Sequence, residues 1–185
     1  MMMTGVGLSK IKLIGLTGTN GAGKGEVAAY LKKKGYAYVS LSDIIRDELK
    51  RRGLEPSRDN LIACGNELRE KYGPDVLARR AAEKITGPTV IDSIRNSKEV
   101  EYLRSLGNFI LIAVDAPVEI RFERAKKRGR NESASTLEEF KQKEELEKSN
   151  QENGQQLDAC MKLADITIIN DGTLEELWHK LEELG

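Results

Sequence analysis

Gly18-Thr19-Asn20-Gly21-Ala22-Gly23-Lys24 has the G-x-x-x-x-G-K spacing of a loop that cradles phosphate groups. An apolar run over 11–16 precedes it and predicts a buried strand over 10–16. A run of helix formers over 26–34 follows it and predicts a helix. Strand, glycine loop and helix in that order are what the chemistry requires. Glycine allows positive φ and a close approach of backbone to ligand. The first turn of the helix adds free N–H groups and the positive end of its dipole. Lys24 brings a point charge suited to the outer phosphates of a nucleotide. The full pattern places Ser or Thr after the lysine to help hold magnesium; here Gly25 stands there, followed by Glu26. The candidate nucleotide-binding set is therefore Gly18, Thr19, Asn20, Gly21, Ala22, Gly23, Lys24, Gly25 and Glu26.

The chain has 185 residues, enough for one domain with a substantial core. Charged residues make up 32% of it and balance to zero, which argues against bulk binding to nucleic acid or to an anionic membrane. There is no apolar run of bilayer-spanning length and no signal-peptide layout at the start, so a cytoplasmic location is expected. Cys64 and Cys160 are far apart without metal-ligand spacing and read as reduced thiols. His179 has no catalytic partner set around it.

Beyond the first strand, short Ile- and Val-rich runs fall at 36–41, 89–92, 109–114 and 166–169. Continuous apolar strands alternating with helical patterns predict a parallel five-stranded sheet with helices on both faces, an α/β layered domain. Ser42 is a candidate cap for a helix from Asp43, and Ser57 for one through Glu67. Pro74 and Pro117 suit first helical turns, and Ser135 or Thr136 can cap a long charged helix. Ile120, Phe122, Leu174, Leu177, Trp178 and Leu181 are expected to face the core. More than a simple crossover lies between the second and third strands, so about 42–87 are expected to form a helical insert. A polar stretch at about 128–136 is expected to act as a short lid.

Ligands of open parallel sheets bind beyond the carboxyl ends of the strands. After the second strand come Asp43 and Arg46, three apart on one helical face; they can pair locally or bind a phosphate-bearing acceptor. Asp92 ends the third strand, where an acidic residue can hold magnesium through water, and Arg95 follows. After the fourth strand, Arg121, Arg124, Lys127, Arg128 and Arg130 form a cationic series. Beside a phosphate loop, arginine forks can stabilise transferring charge.

In combination these segments resemble the P-loop nucleoside monophosphate kinase superfamily of adenylate kinases, dephospho-CoA kinases and their relatives. The match is strongest to a group of largely archaeal adenylate-kinase-related proteins. Adenylate kinases also carry glycine after the loop lysine. Ser42-Asp43-x-x-Arg46 is similar to the monophosphate-site motif, and Asp92 to Arg95 to the next motif, with its arginine one residue early. Arg124 and Arg128 resemble the arginines that open the lid. Asn170-Asp171-Gly172-Thr173 is similar to a turn near the nucleotide base. The resemblance implies a three-layer P-loop NTPase fold as one domain over 1–185, with a helical substrate-binding insert and a short lid. Two departures stand out: Glu26 replaces the family's Thr, and the lid is short and lacks zinc-binding cysteines.

The resulting expectation is an ATP- and Mg²⁺-dependent phosphotransferase acting on a small phosphorylated or hydroxyl-bearing acceptor. Lys24, Asp92, Arg124 and Arg128 are the catalytic candidates. Asp43, Arg46 and Arg95 bind the acceptor, Asn170 joins the nucleotide set, and Asp92 holds the metal through water. The rival readings are a nucleotide-binding ATPase or switch acting on a protein partner, to which Glu26 lends weight, and a binding module without turnover.

Overall fold

A computed structural model describes residues 12–19, 21–127, 136–147 and 156–183. The strands are β1 (Leu13–Gly18), β2 (Ala37–Ser40), β3 (Thr89–Asp92), β4 (Phe109–Asp115) and β5 (Ile166–Ile169). The helices are α1 (Lys24–Lys33), α2 (Leu41–Arg52), α3 (Arg58–Tyr72), α4 (Val76–Ala82), α5 (Ser97–Ser105), α6 (Val118–Lys127), α7 (Leu137–Glu147), α8 (Leu157–Leu163) and α9 (Leu174–Glu182). The five strands form one parallel sheet in the order β2-β3-β1-β4-β5. β1 is central. The chain passes from it to β2 on one side and later crosses from β3 to β4 on the other, so the connections diverge at the carboxyl end of β1.

Alternation along the strands builds a layer on each face. Ile14, Leu16, Val90, Ile112, Val114 and Ile168 pack with Val27, Ala28, Leu31, Leu177 and Leu181 of α1 and α9. Ile91 and Leu111 point the other way and meet Val100, Leu103, Cys160 and the apolar faces of α2, α3 and α4. Strands covered on both faces need apolar residues in both phases, which is why their sequences read as unbroken apolar runs.

The strand expectations hold closely, with β1 running to Gly18. Three local expectations change. The cap of α2 is Ser40, whose hydroxyl accepts from Ser42 N at 3.2 Å, so the helix starts at Leu41 and not at Asp43. Leu174 and Trp178 are exposed, because the buried stripe of α9 is narrow and centres on Leu177 and Leu181. Ser57 does cap α3, but that helix continues to Tyr72. Thr136 caps α7 by accepting from Glu139 N at 3.2 Å. Ser135 and the expected lid over 128–135 lie outside the described residues. Among the described residues no helix is long and apolar enough to cross a membrane.

Helices α2, α3 and α4 occupy the segment expected to be an insert, and a charged knot ties them together. Glu48 of α2 is buried and accepts from Arg51, from Arg52 Nε at 2.9 Å, and from Arg80 Nη1 of α4 at 3.2 Å. Arg52 continues to Glu67 of α3 at 3.0 Å. The Arg51 hydrogen bond, followed by those of Arg52 and Arg80, lowers the Glu48 pKa from 4.5 to about 2. A carboxylate held below its unfolded value stabilises the fold above that value and loses the contribution as pH falls towards its folded value. Glu48→Gln should therefore cost about 1–3 kcal/mol near neutral pH. The deficit relative to wild type should shrink as pH falls from about 4.5 towards 2 in urea titrations. A deficit independent of pH would show that the charge contributes nothing.

Candidate phosphoryl-transfer site

The loop after β1 is built around three glycines in the positive-φ region: Gly18 at 140°, Gly21 at 80° and Gly23 at 103°. Close packing demands glycine as much as the dihedrals do. A Cβ on Gly18 would lie 2.0 Å from Val114 O at the end of β4, and one on Gly23 would lie 2.4 Å from Asn170 Nδ2 after β5. The loop thus rests against the ends of the neighbouring strands. Gly25 differs, since a Cβ there would meet nothing within 4 Å. The position next to the lysine has room for a side chain and carries none.

Polar groups hold this loop from behind. Thr19 Oγ1 donates to Asp115 Oδ1 at 2.8 Å, and Thr19 N to Val114 O at 3.3 Å. Asn170 Nδ2 donates to Ala22 O at 2.9 Å. Arg124 Nη1 reaches Gly21 O and Ala22 O at 3.2 and 3.3 Å, while its Nη2 donates to Asn170 O at 2.7 Å. Arg124 and Asn170 therefore brace the loop carbonyls and tie the loop to the turn after β5. Lys24 Nζ lies over the loop, on Gly18 O at 3.0 Å and Thr19 O at 2.9 Å. Helix α1 starts at Lys24 with Gly23 as its N-cap and, among the described residues, no side-chain cap hydrogen bond on its first turn, where free N–H groups and the positive end of the dipole lie. Glu26 is exposed in the first turn of α1. Asn20 and Arg128 lie outside the described residues.

Asp92 stands at the end of β3, next to β1 in the sheet. It is buried, with Oδ1 accepting from Ser93 N and Oδ2 from Tyr38 Oη, both at 2.7 Å. Ser93 has φ 64°, an uncommon conformation for a residue with a Cβ. Its hydroxyl pairs with Ser40 Oγ at 3.0 Å and accepts from Ser42 Oγ at 2.8 Å. Burial and then the Asp92 carboxylate raise the Tyr38 pKa, so the phenol keeps its proton.

Asp43 and Arg46 pair with each other at 3.0 Å on the exposed side of α2, the local ion pair that their spacing allows. Arg95 lies deeper. Its guanidinium has no hydrogen bond or ion pair among the described residues, and burial lowers its pKa against the opposing pull of Asp92. Arg69, Glu99 and Arg58 also act on it electrostatically. Arg69 and Glu99 are both buried and stand 3.5 Å apart. Among the described residues Arg69 Nε and Glu99 Oε2 have no hydrogen-bond partner, and burial raises the Glu99 pKa. Glu99 Oε1 accepts from Arg95 N and Asn96 N, both at 3.0 Å, closing a capping box on α5.

The sequence profile of the AAA domain family matches residues 14–153. Over 181 residues the chain is 36% identical to a UPF0200 protein of Sulfurisphaera tokodaii, covering 96% of this chain and 97% of the other. The chain belongs to the UPF0200 family. It is also 36% identical over 183 residues to a UPF0200/UPF0201 protein of Archaeoglobus fulgidus; that match takes in 95% of this chain but spans 55% of the longer relative. Among solved structures it is similar to a shikimate kinase from Acinetobacter baumannii in complex with shikimate, with TM-score 0.59 and 18% identity over 97% of this chain and 95% of the other. That likeness is one of fold: the UPF0200 chain has the P-loop kinase-like fold, with archaeal relatives.

Tyr38, Ser40, Ser93 and Arg69 have no signal in the UPF0200 sequence by itself. Each is an ordinary strand, turn or helix residue until the sheet places it beside Asp92 or Arg95. Arg121, part of the cationic series in the sequence, turns inward: its Nε donates to Ala116 O at 2.8 Å and its Nη2 to Glu144 of α7 at 2.8 Å.

The packing of Gly23 on Asn170 gives a test. Gly23→Ala combines a clash with a strained φ and should cost about 1–3 kcal/mol in urea unfolding. Asn170→Ala removes the clashing amide, so the double variant should lose less than the sum of the single losses. Strict additivity would show that the two residues do not meet.

Proposed function

We propose that this protein is an ATP-dependent phosphotransferase for a small phosphorylated or hydroxyl-bearing acceptor, like nucleoside monophosphate or dephospho-CoA kinases. One observation carries the reading: a positive-φ glycine loop running into an uncapped helix start, beside a buried Asp92 at the end of the adjacent strand. Loop amides aimed at one point, with a helix dipole behind them, favour bound phosphates. The residue types agree with ATP and Mg²⁺. Among the described residues each Asp92 oxygen accepts one protein hydrogen bond, which leaves acceptor capacity for metal-bound water. Mg²⁺, when bound, neutralises negative charge on the transferring group.

In this reading Lys24 exchanges its loop carbonyls for the donor's outer phosphate oxygens. Asp92 orients metal-bound water. Arg95 takes the acceptor, since an anionic group there would pair a guanidinium whose burial disfavours its lone charge. Arg46 joins it if its pairing with Asp43 opens. Arg124 keeps the loop amides aimed, and with Arg128 adds positive charge near the transferring group. The step is then mostly positioning and electrostatics, with no covalent enzyme intermediate.

A coupled assay of ADP release tests this across nucleoside monophosphates and dephospho-CoA. Acceptor-dependent turnover is expected, with Lys24→Ala and Asp92→Asn each lowering it by about 10²-fold or more. No acceptor-dependent release with any of them would count against the reading. The exposed Glu26 carboxylate beside the open Gly25 position favours one rival, an ATPase or switch acting on a protein partner. Its signature is slow hydrolysis that no small acceptor stimulates.

A further inference from the structure

We infer that Tyr38 is a positioning residue for Asp92. Its hydroxyl holds the carboxylate in the orientation that receives water bound to a divalent cation. The inference rests on the phosphotransferase reading above.

The sheet register brings the two together. Tyr38 pairs with Val90 across β2 and β3, and Asp92 lies two residues beyond Val90 on the same face. That diagonal is within reach of a long aromatic side chain, and Tyr38 Oη closes it at 2.7 Å from Oδ2. The opposite oxygen, Oδ1, is held at the same distance by Ser93 N. One donor is therefore main chain, fixed by the turn after β3, and the other is a single side chain from the neighbouring strand. Without Tyr38 Oη the described residues supply Oδ2 with no donor, and rotation about the Cβ–Cγ bond is restrained from one end only.

Tyr38 is itself held in place. The Lys32 ammonium lies over its ring at 4.6 Å from the centroid, a favourable placement on an aromatic face. Ser40 Oγ, two residues along the same strand, pairs with Ser93 Oγ at 3.0 Å, and Ser42 Oγ donates to Ser93 at 2.8 Å. These hydroxyls lock the turn that presents Ser93 N. Both clamps on Asp92 thus meet in one network between β2, β3 and the start of α2. A buried carboxylate needs hydrogen bonds in any case. A cation-ordering role differs from that by its effect on metal affinity, because groups that orient a metal's partners typically change that affinity about 10- to 100-fold when removed.

Binding of Mn²⁺ to the protein–ADP complex, followed by electron paramagnetic resonance, reads this directly. Tyr38→Phe removes one oxygen. It should weaken Mn²⁺ binding about 10-fold while ADP affinity in EDTA stays within about twofold of wild type. In an Asp92→Asn background the same change should have no further effect. Tyr38→4-aminophenylalanine keeps an N–H donor where the phenol oxygen stands and should recover part of the affinity; it also carries the test if the phenylalanine variant does not fold. Unchanged Mn²⁺ affinity in Tyr38→Phe, with ADP still bound, would overturn the inference and leave the phosphotransferase reading standing. Loss of folding in both variants would give Tyr38 a purely structural role and equally overturn it. A wild-type protein that binds no nucleotide would instead remove the phosphotransferase reading, and this inference with it.

Discussion

Behind the glycine loop the chain packs with no space for a methyl group at Gly18 or Gly23. Gly18 lies on the carbonyl of Val114, and Gly23 lies on the amide of Asn170. Thr19, Asn170 and Arg124 then fill the remaining polar positions with hydrogen bonds to the loop or to the strand ends beside it. The loop is thus tied to β4, to the turn after β5 and to α6. These contacts hold the loop backbone in place from the side of the sheet.

The same sheet edge concentrates charge that the core cannot dilute. Asp92 at the end of β3, Arg69 of α3 and Glu99 of α5 are buried, and all three act electrostatically on Arg95. A buried charge is tolerable only when paired or hydrogen-bonded. Asp92 meets that condition through Tyr38 and Ser93, and Glu99 through two main-chain amides and Arg69. Arg95 is only partly buried, and its guanidinium has no hydrogen bond or ion pair among the described residues. Glu48 plays a different part: it gathers arginines from α2 and α4 and ties those helices together.

Short-range chemistry was legible in the sequence. Glycine spacing, apolar strand runs and cap residues such as Ser57 and Thr136 act within a few positions, so one-dimensional pattern carries them. Leu174 and Trp178 misled because period alone does not say how wide a helix's buried stripe is, and α9 buries a narrow one. Ser42 misled because two serines stand near the start of α2, and only backbone geometry selects Ser40 as the one in extended conformation. Arg124 and Asn170 were legible as important positions, but their orientation towards the loop carbonyls was not.

By itself, the sequence determined an α/β layered domain with a glycine loop between the first strand and the first helix, and Asp92 at the end of a later strand. Those features follow from local propensity, periodicity and motif spacing. The tertiary structure alone decided which residues stand around them: Tyr38 on Asp92, Asn170 under Gly23, Arg69 against Glu99. Those pairs lie between 30 and 147 positions apart. What joins them is strand order and register, which depend on how the whole chain buries its apolar faces and not on any local stretch of it.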